Sequence, residues 1–190
     1  MKRKDIMEWG IVLAVIGTLY LTGWYRPILS RIQQGVLSIG IFSPNYSLDE
    51  PIPADFSMTL LTEEGQIKSL SEYKGETILI NIWATWCPPC RAELPDMKEL
   101  YFTEEGQSIR WIMVSLDQKM DKAVAFFDEE EYPWEVYQPA GNLPAVFESP
   151  AVPTTFVISP HGDIVVKQEG IAEYNTKPFR ELLQSLEEET

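Results

Sequence analysis

Hydrophobic and polar positions change period several times along this chain. Residues 77–83 (TILINIW) form a near-continuous β-rich run, the pattern of a strand buried on both faces. Residues 109–116 repeat it. Between them, residues 88–102 put Leu94, Met97 and Tyr101 on one helical face. Residues 121–130 form a second helix carrying Val124, Phe126 and Phe127, and residues 134–137 a short strand. Residues 154–159 and 164–168 are strands joined by the turn Pro160-His161-Gly162-Asp163. A helix over 176–186 follows, capped by Thr176, with Phe179, Leu182, Leu183 and Leu186 inward. Ahead of all these, residues 56–61 and 66–70 read as a hairpin about Glu64-Gly65. Strands alternating with helices, then a hairpin and a closing helix, predict an α/β fold with a central mixed β-sheet flanked by helices.

The first 53 residues follow another pattern. Residues 9–25 contain no charge and span about 25 Å as a helix; extension back to Ile6 brings them to membrane thickness. Trp9, Tyr20, Trp24 and Tyr25 lie near the ends, as interfacial aromatics do. No small-residue cleavage site follows, so the segment reads as a retained transmembrane helix in contact with the bilayer over residues 6–25. Lys2, Arg3 and Lys4 ahead of the span favour a cytoplasmic N-terminus and a periplasmic or extracellular body. Residues 27–42 place Leu29, Ile32, Val36 and Ile39 at helical spacing around Arg31, Gln33 and Gln34, an amphipathic segment suited to the membrane surface. Pro44, Pro51 and Pro53 mark a linker. The expected organisation is a tip and anchor over 1–26, a juxtamembrane segment and linker over 27–53, and a folded domain over 54–190.

Charge supports the division. The 190 residues carry a net charge of -14, yet residues 1–26 hold four basic groups against two acids, which leaves 27–190 at -16. A chain so acidic lacks the basic footprint of a nucleic-acid binder. Its only cysteines, Cys87 and Cys90, and its only histidine, His161, are too few for a Cys/His zinc site, and Arg91 stands where a c-type haem motif needs histidine. No metal or other cofactor is expected.

Cys87-Pro88-Pro89-Cys90 falls where the central strand ends and a helix begins. A helix N-terminus offers unpaired amides and the positive end of the dipole, which favour thiolate over thiol. Cys87, at the exposed start, is the expected nucleophile, and Cys90, one turn on, the shielded resolving thiol. Pro88 and Pro89 suit a first turn whose amides have no helical partner, and they leave the Cys90 amide free to donate to the Cys87 sulfur. Two small core residues would account for the cysteines but not for the two prolines between a strand and a helix.

The run Trp83-Ala84-Thr85-Trp86-Cys87-Pro88-Pro89-Cys90-Arg91-Ala92-Glu93-Leu94-Pro95 resembles the active-site segment of membrane-anchored thioredoxin-like proteins of the TlpA/ResA type. The resemblance runs from about residue 52 to about 186. It implies a thioredoxin-like fold and an extracytoplasmic thiol-disulfide oxidoreductase. Such a protein acts on disulfide-bearing protein substrates, is often a reductase with a role in cytochrome c maturation, and is recharged by a membrane thiol electron donor. It implies that Val152-Pro153 is the cis-proline segment facing the cysteines, with Val152 offering backbone groups to an extended substrate. Trp86 would add apolar contact surface beside Pro88 and Pro89. Glu93 matches an acid near the site in ResA-type members; the residue pattern leaves open a solvated helix-face acid or a partly buried one that exchanges protons with the dithiol. Asn81 stands where thioredoxins proper carry a buried acid, and residues 117–150 fit a helical insertion of this family, with 141–147 bordering the site.

Two other functions compete. A peroxiredoxin-like peroxidase resembles a Pro-x-x-x-Thr-x-x-Cys pattern, but Thr85 stands two residues before Cys87 and the proline is missing. A membrane-anchored binding or assembly module would hold a client and leave the dithiol incidental.

Overall fold

The computed structural model describes residue 48 and residues 50–188. The expected anchor, the juxtamembrane helix and most of the linker lie outside the described residues. Among the described residues no helix is long and apolar enough to cross a membrane.

Eight strands form one sheet in the order β1-β8-β7-β4-β5-β6-β2-β3. They are β1 (Ile52–Pro53), β2 (Thr59–Leu61), β3 (Ile67–Ser69), β4 (Ile78–Trp83), β5 (Arg110–Ser115), β6 (Val136–Pro139), β7 (Thr154–Ile158) and β8 (Asp163–Glu169). The helices are α1 (Pro88–Tyr101), α2 (Glu104–Ser108), α3 (Met120–Glu129) and α4 (Lys177–Glu187). β4, β5 and β6 run parallel; β7 pairs antiparallel with β4 and with β8. The expected thioredoxin-like α/β fold with a mixed sheet is therefore present.

Every residue of β4 is buried, as its unbroken apolar run requires. Alternation along it separates two cores. Leu79 and Trp83 pack with Leu94, Met97, Phe127, Phe179 and Leu183 under the helices, while Ile78, Ile80 and Ile82 pack with Leu60, Phe147 and Phe156 on the other face. The same alternation turns Asn81 toward the helices. Trp83 stacks on Phe127 with ring centroids 4.5 Å apart, fixing α3 over the end of β4.

Several boundaries differ from expectation. The first hairpin pairs only 59–61 with 67–69. Leu70 starts a 3-10 turn rather than ending a strand, because Ser69 and Glu72 form a capping box there. The short strand expected at 134–137 lies at Val136–Pro139, since Trp134 is drawn into the aromatic core with Trp111 and Tyr132. Residues ahead of 54 join the sheet: β1 pairs with β8, and the Leu48 N–H donates to the Val165 carbonyl at 2.9 Å. Prolines suit this place, an edge where a missing N–H breaks no ladder.

Candidate functional site

β4 ends at Trp83, and four residues later Cys87 is the N-cap of α1, with Pro88 and Pro89 in the first turn. No acidic residue occupies that turn to offset the positive end of the helix. The Cys90 N–H points at Cys87 Sγ at 3.3 Å. The two cysteines are joined in a disulfide, with Cα atoms 5.4 Å apart. Cys90 is fully buried, as expected. Cys87 is not the exposed residue that its place at a helix start suggested: it is only 4% exposed. The loop before β7 covers it, and its sulfur lies 3.5 Å from the Val152 carbonyl oxygen. Val152-Pro153 is a cis peptide, as the resemblance implied.

Around this pair, Trp86 is 59% exposed and presents its ring to solvent, Pro88 is exposed and Pro89 half-buried. A groove of about 430 Å³ lined by Leu143, Glu148, Ser149 and Pro150 immediately precedes Val152 in the chain. Of the 141–147 segment, Leu143 lines this groove together with residues 148–150.

Behind the dithiol, Glu93 is fully buried, which removes the solvated alternative. Its Oε1 accepts from Asn81 Nδ2 at 2.8 Å, and its Oε2 accepts from the Ala172 N–H at 3.4 Å. Burial outweighs both donors and pushes the carboxyl up to about 8. Asn81 Nδ2 also donates to Thr155 Oγ1 at 2.9 Å, which follows from register: Asn81 and Thr155 are cross-strand partners of β4 and β7. Tyr174, fully buried, donates its hydroxyl to the same Thr155 oxygen at 2.7 Å.

A second buried carboxylate braces the motif from the β5 side. Asp117 accepts from the Thr85 N–H at 2.8 Å, from Thr85 Oγ1 at 2.7 Å and from Ser115 Oγ at 3.0 Å. The Thr85 hydroxyl is committed to Asp117, so it is unavailable in the role a peroxidase threonine would play. Asp117, Thr155, Tyr174 and Ala172 were not singled out in the sequence. Asp117 closes a strand one residue beyond a buried run, and Thr155 pairs with an already notable Asn81. Tyr174 and Ala172 belong to a loop that no local pattern connects to the site. Among the described residues no group of three His, Cys, Asp or Glu is placed to hold a metal ion.

A family profile described as AhpC/TSA family matches residues 49–167, well over half of the chain. The chain belongs to that family. It is 32% identical over 122 residues to the thiol-disulfide oxidoreductase ResA of Oceanobacillus iheyensis, covering 63% of each chain. It is 29% identical over 136 residues to the thiol:disulfide interchange protein DsbE of Vibrio cholerae, covering 70% of this chain and 71% of that one. The pneumococcal exposed lipoprotein thioredoxin Etrx1 of Streptococcus pneumoniae superposes with a TM-score of 0.52 at 27% identity, over 68% of this chain and 97% of that one. The match thus spans slightly under two thirds of the Oceanobacillus relative. With its Cys-x-x-Cys disulfide and thioredoxin-like fold, the chain is a redox enzyme, a thiol-disulfide oxidoreductase of the ResA/DsbE type.

Proposed function

We propose that this protein is an extracytoplasmic, membrane-tethered protein disulfide reductase whose chemistry resides in Cys87 and Cys90, with a role in cytochrome c maturation. The observation that carries the chemistry is the Cys87–Cys90 pair at an unopposed helix N-terminus, with the Val152 carbonyl on one side and buried Glu93 behind. In the reduced protein the Cys87 thiolate attacks one sulfur of a client disulfide. The other client sulfur leaves as thiolate and takes up a proton. Cys90 then loses its proton and attacks Cys87 Sγ, releasing the second client thiolate, which is protonated in turn. Two electrons and two protons pass to the client, and the disulfide at 87–90 remains.

Glu93 lies one helical turn beyond Cys90, and burial raises its carboxyl to about 8, so near neutral pH it is a group that can give up or take back a proton for the pair. Trp86, Pro88, Pro89 and the Val152-Pro153 backbone form the contact surface for an extended client segment. A membrane thiol donor reloads the pair, and residues 6–25 tether the domain to the bilayer.

The test uses full-length protein reduced beforehand and mixed with a disulfide-bonded protein. Wild type should reduce it in one turnover. Cys90→Ser should accumulate a mixed disulfide through Cys87, and Cys87→Ser should do neither. Failure of Cys90→Ser to form any mixed disulfide would refute the exchange reaction. Equilibration in thiol redox buffers reads the direction: a potential at the oxidising end would refute the reductase assignment.

A further inference from the structure

The groove lined by Leu143, Glu148, Ser149 and Pro150 has apolar walls and one carboxylate that the fold does not use. Its last lining residue, Pro150, stands two positions before Val152, whose carbonyl oxygen lies 3.5 Å from Cys87 Sγ. Hydrogen bonds close the chain between them into a tight turn. The Ala151 N–H donates to Ser149 Oγ at 3.1 Å, and the Thr154 hydroxyl reaches Ser149 Oγ at 2.9 Å and the Ala151 carbonyl at 2.8 Å. The other polar groups here are spent within the fold. Ser149 Oγ donates to Glu169 Oε1 at 2.9 Å. Lys167 lies 3.4 Å from that same carboxylate oxygen and donates to the Glu148 main-chain carbonyl at 3.4 Å. The Glu148 side chain is exposed, and among the described residues its carboxylate meets no hydrogen-bond donor and no cation. Two carboxylates thus share one ammonium at this rim, which leaves it one negative charge in excess.

We propose that this groove is a subsite for a basic side chain of the client, two residues from the cysteine under attack, and that Glu148 selects it. The occupant that suits the groove has an aliphatic stem for Leu143 and Pro150 and a positive head for Glu148, which describes lysine or arginine. Side chains two apart on an extended segment share a face and lie about 7 Å from one another. That is the reach of the two chain positions from Val152 back to Pro150. A client cysteine held against Cys87 and the Val152 backbone thereby sets its neighbour two residues away over the groove.

This subsite rests on the exchange reaction proposed above, and a pair of substrates lets the two fail separately. The substrates are disulfide-linked dimers of a short capped peptide with one central cysteine. One peptide is neutral, and the other has lysine at both positions two residues from the cysteine. Reduction by the full-length protein is followed at about 0.15 M salt, where acids more than about 8 Å away are largely screened. Wild type should reduce the lysine peptide with about threefold higher kcat/KM than the neutral one, the worth of one exposed ion pair. Glu148→Gln should bring that ratio near one, and Glu148→Lys should take it below one. Glu104→Gln makes the same change of net charge on α2, beyond the far end of α1, and should keep the wild-type ratio. Equal reduction of both peptides by wild type overturns the subsite and leaves the exchange reaction standing. So does a ratio that Glu148→Gln does not lower, or one that Glu104→Gln lowers as much, which would place the preference in net charge. Reduction of neither peptide ends both readings.

Discussion

Replacing Glu93 by glutamine should make the oxidised protein more stable, and by an amount that depends on pH. Burial lifts the carboxyl from 4.5 to about 8, so the folded state keeps a proton that the unfolded chain has lost. The stability associated with the protonated acid is fully present below the unfolded value. It declines as pH rises and levels off once the folded value is passed. At pH 7 the wild-type protein has lost about 3 kcal/mol in this way, and above the folded value about 5 kcal/mol. Glutamine has no proton to lose. It can retain a bond to Asn81 Nδ2 or to the Ala172 N–H through its oxygen, but its amide then faces the other donor, at a cost of about 1 kcal/mol. The net gain at pH 7 is therefore about 2 kcal/mol, falling to nothing or slightly below near pH 5. Denaturant unfolding of oxidised wild type and Glu93→Gln at about pH 5, 7 and 9 measures it, because the disulfide silences both cysteines throughout. If the difference between the two proteins is the same at all three values, Glu93 does not titrate in this window and its proposed proton exchange with Cys90 fails with it.

Asp117→Ala should destabilise the fold by about 2–3 kcal/mol, because it leaves the Thr85 N–H without its carboxylate partner beside the redox motif. It should also raise the KM for a protein disulfide through loss of the turn that places Trp86 and Cys87; chemical unfolding and steady-state reduction assays check the two parts. Trp86→Ala should leave stability within about 0.5 kcal/mol, since the ring is 59% exposed, yet raise the KM for a protein disulfide several-fold while sparing a small-molecule disulfide. Equal losses on both substrates would remove Trp86 from the client surface.

The redox motif was legible because its signals are local. A β-run, two cysteines, two prolines and a helical pattern lie within 30 residues, and each requires the next. The sheet order was legible only as a class, since nothing within a short strand such as residues 59–61 names its partner across the chain. Glu93 shows the limit most clearly. Its own helix neighbours fit a solvated face or a buried one equally well, and the decision comes from Ala172, 79 residues away, whose loop closes over it. Cys87 differs from expectation for the same reason, because a helix start is exposed only until a distant loop is laid across it. Asn81 lay nearer to reach: its position between Leu79 and Trp83 on an alternating strand already directs it at the helix that carries Glu93.

Two buried carboxylates bracket the cysteine motif, and their partners divide the work between them. Asp117 receives both donors of Thr85 and the Ser115 hydroxyl, and Lys122 stands 3.8 Å away. Those bonds tie the turn before Cys87 to the end of β5, so Asp117 fixes where Cys87 sits. Glu93 has one side-chain donor, one long backbone donor at 3.4 Å, and Asp96 as its nearest charge. That arrangement is a poor anchor, since a carboxyl with so little support holds its proton as readily as it releases it. In the exchange reaction proposed above it would serve instead as a proton store, since it titrates near neutral pH. A site that must pass two protons with two electrons needs both devices, one to hold the geometry and one to yield. Asp117 does its work from the loop just past β5, where it meets Thr85, and Glu93 from the face of α1 that meets Asn81 in the dry core.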